Sequence, residues 1–128
     1  MTLARPNYDM RDFYFDSVLD TDSNQQLSYE QIAQPVVEDV INGFNGVVMA
    51  YGQTGSGKTH TIFGSRESMD QLYAKKGSDE LHVDSGIVPR CVNNIFNYIK
   101  DNPNKAQFRI TVSFLEIYME QITDLLQQ

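Results

Sequence analysis

Cysteine, histidine and long apolar runs are all scarce in this 128-residue sequence, and each shortage excludes a class of protein. Cys91 stands alone, so there is no internal disulfide, and with only His60 and His82 beside it no zinc-ligand spacing exists. The longest apolar stretches, such as residues 46–51, fall far short of the roughly 20 residues that cross a bilayer. The start of the chain has no basic-then-apolar signal pattern. Basic residues are also few, 10 against 17 acidic ones, giving a net charge of −7. A protein with a negative field of its own repels nucleic acid and acidic surfaces unless its cations cluster, and the densest pair, Lys75-Lys76, has acidic residues on both sides. The reading is a soluble, intracellular protein with neither nucleic acid nor membrane as partner. Its length leaves room for one domain and one core. No internal repeat or low-complexity segment interrupts it.

What is present is a succession of short periodic segments. Residues 12–19, DFYFDSVL, alternate aromatic and polar side chains and predict a short strand with a turn at 20–23. Ile32, Val36, Val37, Val40, Ile41 and Phe44 follow the three-and-four spacing of a helix. Two capping boxes compete for its start, Ser23 with Gln26 and Ser28 with Gln31. Pro35 removes one backbone hydrogen bond inside the stripe and predicts a kink or broken turn near Ile32, and Asn42-Gly43 predicts its end. Residues 47–51 form an unbroken apolar run, as in a parallel strand covered on both faces. A helix is expected from Lys58 through Phe63, stopping at Gly64. Residues 65–85 are 21 mostly polar positions with 5 acidic and 3 basic side chains, read as a long loop that is either a mobile flap beside the site or an inert surface insertion. A second amphipathic helix is expected over 89–100, with Val92, Ile95, Phe96 and Ile99 on one face and Pro89 in its first turn. DNPNK at 101–105 predicts a turn. Residues 108–114 alternate most clearly of all and predict a strand, and DLLQQ at 124–128 reads as the end of a short helical turn.

The chemistry is concentrated in GQTGSGKTHT, residues 52–61. Gly52, Gly57, Lys58 and Thr59 fit G-x-x-x-x-G-K-[ST]. Glycines let the backbone curl with its N–H groups inward, and a helix starting there adds the positive end of its dipole. Lys58 would set a compact positive charge against the β- and γ-phosphates, and the Thr59 hydroxyl would ligate Mg²⁺. His60 has three readings from the residues alone: a polar helix residue turned to water, a core histidine, or a ring stacked on a base. The N-K-x-D element that reads guanine has only Asn104-Lys105-Ala106-Gln107 as a near match, without the aspartate, which points to ATP.

The wider context carries a family likeness. NGFNGVVMAYGQTGSGKTHTIFG (42–64), GIVPR (86–90) and SFLEIYMEQITDLL (113–126) resemble, in this order, three stretches of the kinesin motor domain. FYFDSVL (13–19) and the helix between extend the likeness over nearly the whole chain. The glycine-rich turn marks many nucleotide-binding proteins; joined to S-x-x-E-I-Y-x-E-x-x-x-D-L-L it is specific. The resemblance implies an α/β fold of P-loop NTPase type, with a central, mainly parallel sheet flanked by helices. It implies that Gly52, Gln53, Thr54, Gly55, Ser56, Gly57, Lys58 and Thr59 hold the phosphates of ATP or ADP, with Thr59 on Mg²⁺, and it favours His60 against adenine. Glu116, Tyr118 and Asp124 are architectural in the family, so no residue here receives a catalytic role. Arg5-Pro6 lies too near the turn to match the family's adenine-side pair. Met119 stands where the motif often has asparagine.

Two family strings do not occur, the first switch N-x-x-S-S-R-S-H and the second, D-x-x-G followed by glutamate. The only Ser-Arg pair is Ser65-Arg66, and Asp84-Ser85-Gly86 is one residue too short. Residues 1–128 are therefore read as part of a motor domain, with both ends missing. By resemblance the intact protein is a microtubule-stimulated ATPase of the cytoplasm and cytoskeleton, binding microtubules through segments absent here, while these residues alone are expected to be inactive. The oligomeric state is not readable. Two alternatives are a degenerate nucleotide-binding or regulatory module without turnover and a small P-loop phosphotransferase. The latter needs a carboxylate for magnesium after the turn, and no strand end supplies one.

Overall fold

The first helix starts where a side chain covers its free N–H groups. Asn24 is extended (φ −91°, ψ 172°) and its side-chain oxygen accepts the Leu27 N–H at 2.8 Å, opening helix α1 at Gln25–Ser28. Neither serine expected as the cap has that role; asparagine caps as well as serine does, and it lies between them. The computed structural model describes residues 2–3, 11–74, 80–104 and 107–127. Arg5-Pro6, Lys75-Lys76 and Lys105 of the DNPNK turn lie outside the described residues.

After α1 the helix widens into a π turn, Tyr29–Ala33, closed by the Gln34 N–H on the Tyr29 carbonyl, and then narrows into α2, Gln34–Ile41. Pro35 is the cause: it has no N–H to return to the preceding turn, and one wider turn lets the chain pass its ring. The break expected near Ile32 is therefore present. Helix α2 ends in a Schellman motif, Gly43 N–H on Val40 O at 3.0 Å and Phe44 N–H on Asp39 O at 3.0 Å. Helix α3 spans Lys58–Phe63 and stops at Gly64, as expected. Helix α5 spans Ile87–Asp101, two residues earlier at its start than the sequence suggested.

The long loop is the first correction. Residues 66–74 form helix α4, Arg66–Ala74. The Ser65 hydroxyl accepts the Ser68 N–H at 3.1 Å, and Met69, Leu72 and Tyr73 supply a helical apolar spacing that the surrounding charge obscured. The two ends of the excursion meet: Gly64 and Ser85 form an isolated antiparallel bridge, and the Gly86 N–H donates to Phe63 O at 3.2 Å. A Cβ on Gly86 would lie 2.5 Å from the Gly64 nitrogen, so this crossing admits no side chain.

The strands are the second correction. Two antiparallel pairs are present among the described residues, β1 (Thr2–Leu3) with β2 (Arg11–Asp12), and β3 (Leu115–Tyr118) with β4 (Gln121–Asp124). No parallel ladder occurs among the described residues. Residues 13–19, 47–51 and 108–114 carry no ladder. A strand is defined by a neighbour, and periodicity does not supply one. Within residues 47–51 Val48 alone packs inward; Val47, Met49 and Tyr51 are 83%, 82% and 96% exposed, and Ala50 is exposed as well. One residue is covered where two faces were expected. The face of α5 is corrected in part: Val92 and Phe96 are exposed, Ile95 and Ile99 are half-buried as expected, and Ile87 and Cys91 make the contacts with the buried cluster.

The chain divides into two compact units, Met1–Asn97 and Tyr98–Gln128. In the first, Tyr29, Ala33 and Ile87 form the buried cluster, with Val48, Ile62 and Cys91 packed against it. Asn94 Nδ2 donates to the Tyr29 hydroxyl at 2.7 Å, satisfying a phenol that burial would otherwise penalise. In the second unit Tyr98 meets Phe108 edge-on, with ring centroids 6.2 Å apart. The β3–β4 hairpin turns at Met119 and Glu120, with φ of 48° and 58°. Residues 125–126 form a turn held by Leu126 N–H on Asp124 Oδ1 at 2.9 Å, in place of the expected helical end.

Two outcomes follow from this packing. Burial pushes both the Tyr29 phenol and the Cys91 thiol above their ordinary pKa values, with the Asn94 hydrogen bond opposing the rise at Tyr29. Both groups fold neutral, so their contribution is complete below the unfolded thiol value of about 8.5 and is lost as pH rises through the folded values. Thermal melting followed by circular dichroism should show stability falling above about pH 9, and Cys91→Ala should flatten the first part of that fall. At the hairpin, two non-glycine residues sit in the left-handed region, a turn that suits Asn-Gly. Met119→Asn with Glu120→Gly should stabilise the hairpin by about 1 kcal/mol or more, read as slower amide exchange at Tyr118 and Gln121, the hydrogen-bonded pair that flanks the turn.

Candidate functional site: the glycine-rich loop

Residues 52–59 leave the covered stretch at Val48 and return to the same buried cluster at Ile62, so packing holds both ends of the loop. Within it, Gly52, Gly55 and Gly57 have φ of 152°, 80° and 93°. Gly57 is the residue that requires it most: left-handed at the N-cap of α3, it turns the chain into the helix with no side-chain cap. The Ser56 N–H closes on Gln53 O at 3.2 Å, and Thr54 and Gly55 form the tip.

Lys58 is turned into the loop. Its Nζ donates to the carbonyls of Gly52 and Gln53, both at 2.8 Å. An ammonium has three N–H bonds, and two of them are engaged here, which centres the charge over the loop and leaves one donor outward. Thr59 is exposed on the first turn of α3, and one residue on, His60 is also exposed. Thus all nine residues expected at the site lie on one turn and its helix. A cavity of about 210 Å³ adjoins Lys58 and Ser56, but Ile32, Val48, Ile62 and Ile87 line its other side. Residues 49–51 and Thr61 complete its lining.

Two residues of this region escaped the sequence reading. Gln25, on α1, is buried and its Nε2 meets His60 at both the carbonyl oxygen (2.7 Å) and Nδ1 (3.1 Å). Arg90 binds three acceptors: Val83 O at 2.8 Å, Ser85 O at 2.9 Å and the side-chain oxygen of Gln26. Burial pulls the guanidinium below its ordinary pKa, with Glu30 opposing the effect. The signal for Arg90 was available: a cation in the first turn of a helix works against the dipole, so it needs partners elsewhere. Among the described residues no group of three His, Cys, Asp or Glu could hold a metal ion, and no helix is long and apolar enough to cross a membrane.

A left-handed glycine opening a helix, a lysine bent back over the loop and a hydroxyl one residue on are the arrangement found in the P-loop NTPase fold. The kinesin motor domain model matches residues 3–128, and the chain belongs to this family. It is 41% identical over 114 residues to the kinesin-1 heavy chain of Homo sapiens, covering 89% of this chain and 10% of that protein. To the kinesin-like protein KIN-5B of Arabidopsis thaliana it is 41% identical over 127 residues, covering 99% of this chain and 11% of that one. The chain thus spans about a tenth of the length of these curated relatives. A crystal structure of the Drosophila kinesin family member NOD in complex with AMPPNP superposes with a TM-score of 0.72 at 28% identity, covering 94% of this chain and 37% of that one.

The Arg90 clip gives a direct test. Lysine keeps the charge but cannot fork to three acceptors, so Arg90→Lys should destabilise the protein by about 1.5–3 kcal/mol in urea unfolding. Amide exchange at Ser85 should accelerate with it.

Proposed function

We propose that this chain is the nucleotide-gripping part of a kinesin-type microtubule motor. The observation that carries the reading is the Lys58 ammonium turned over the loop onto the Gly52 and Gln53 carbonyls. Gly52, Gln53, Thr54, Gly55, Ser56, Gly57 and Lys58 hold the phosphates of ATP or ADP, and His60 offers its ring to adenine. Thr59, exposed beside Lys58, suits one hydroxyl ligand of Mg²⁺, an ion that takes its remaining oxygens from phosphate and water. When bound, Mg²⁺ neutralises charge on the β- and γ-phosphate oxygens.

Residues 1–128 are then part of a motor domain. Residues 47–51 and 108–114 become strands of a mainly parallel sheet flanked by helices; the exposed outward side chains at 47, 49 and 51 support this. In the intact protein, ATP hydrolysis stimulated by microtubules drives or regulates movement along them, in the cytoplasm and on the cytoskeleton. The residues that sense the γ-phosphate and those that meet the microtubule are outside this sequence, which contains neither switch string. These residues alone accordingly bind Mg-nucleotide without turning it over. The acidic balance agrees, since a net charge of −7 supplies no cationic face of its own.

Titration with a fluorescent ATP analogue and Mg²⁺ should give saturable binding. Lys58→Ala should weaken it at least about tenfold, the loss of one charge-assisted contact. Equal affinity in the two proteins would overturn the assignment, and microtubule-stimulated phosphate release from the 128-residue chain would overturn the expected lack of turnover.

A further inference from the structure

Gln25 is only 7% exposed, unusually buried for a primary amide on the first turn of a helix. Its Nε2 lies 2.7 Å from the His60 carbonyl oxygen and 3.1 Å from His60 Nδ1. We propose that Gln25 is the positioning residue that holds the His60 ring, in a single tautomer, for a nucleobase; this rests on the nucleotide reading above.

A carbonyl oxygen only accepts hydrogen bonds, so the end of the amide facing His60 O is the NH₂ group and not the oxygen. That NH₂ has two hydrogens, and its second points to the ring. Nδ1 must then accept, which leaves the proton of the neutral imidazole on Nε2. One amide therefore fixes the ring's rotation, its tautomer and the turn of α3 beneath it. A ring already oriented loses less freedom when a base stacks on it, so the gain appears in affinity for the base and not for the phosphates.

Gln25 is itself held. Asn24 caps α1 immediately before it, and the guanidinium of Arg90 takes the side chain of Gln26 immediately after it. Arg90 in turn binds the carbonyls of Val83 and Ser85, where the 65–85 excursion returns. The ring's support thus runs from the base of the excursion through α1 to His60.

The test uses the 128-residue chain with ¹⁵N-labelled histidine. Gln25→Met keeps the volume and removes both hydrogen bonds; Gln25→Asn keeps the amide but shortens its reach, and substitutes if the first fails to fold. At pH 8.5 the wild-type His60 ring should show a non-protonated Nδ1 and a protonated Nε2, and Gln25→Met should give the averaged signals of a mixed ring. His82, whose Nδ1 accepts the Asp84 N–H at 3.1 Å, should not change and serves as the internal control. Competition against the fluorescent analogue should find ATP about two- to tenfold weaker in the variant, the range that ordering one side chain covers, and inorganic tripolyphosphate unchanged. An unaltered His60 tautomer, or a parallel loss for ATP and tripolyphosphate, would overturn the positioning role. Should the wild type bind no tripolyphosphate, the nucleotide reading itself fails, and the positioning role with it.

Discussion

The buried contact among Tyr29, Ala33 and Ile87 is the constraint on which the rest of the first unit depends. It joins the π turn to the first residue of α5, and Val48 and Ile62 pack against it. Those two residues bracket the glycine-rich loop. Burying one large apolar side chain is worth about 1.5–3 kcal/mol, and such contacts must offset the ordering of several glycines. Ala33 is the fulcrum, fully buried, and nothing larger would let Tyr29 and Ile87 close over it.

Polar contacts then refine what the apolar cluster places roughly. The π turn changes the phase of the helix by widening it, so α1 and α2 do not present one continuous stripe. Upstream of the turn, α1 directs Gln25 to His60 and Gln26 to Arg90. Downstream, α2 packs Val36 and Val40 so closely on the chain at Gly46 that a Cβ there would lie 2.5 Å from Val36. A proline thus acts at a distance from the site it helps arrange. It sets which residues of one helix face the loop and which face the stretch that leads into it.

The legible part of this structure was local. Helix α3, its stop at Gly64, the end of α2 at Asn42-Gly43 and the disturbance before Pro35 are each decided within a few residues, by backbone chemistry that sequence states directly. The curled backbone at Gly52, Gly55 and Gly57 was legible for the same reason. The parts that were misread depend on partners. Residues 108–114 alternate clearly yet carry no ladder, because alternation fixes faces and leaves the neighbour unspecified. On α5 the buried contact is made by Ile87 and Cys91; of the four residues expected on the inward face Ile95 and Ile99 are half-buried, while Val92 and Phe96 stay exposed. Helix α4 was hidden by its charges, since a polar helix differs little in composition from a loop. Gln25 could not be assigned from spacing, since its partner lies 35 residues away, and the same holds for the contact of Arg90 with Gln26, 64 residues away.

Helix α3 has six residues, too few to be stable by itself. Its order must come from outside: from Ile62 on the buried cluster, from Gln25 on the His60 carbonyl, and from the bridge between Gly64 and Ser85 just beyond its end. The first of these fixes where the helix lies, and the other two fix how its last turn closes. Lys58 and Thr59 occupy its first turn and have no stronger anchor of their own than the loop carbonyls. A displacement at the crossing of Gly64 and Gly86 would therefore be felt along the helix at Lys58, because one rigid turn and a half separates them. The tightness of that crossing is what makes so short a helix a usable platform for Lys58.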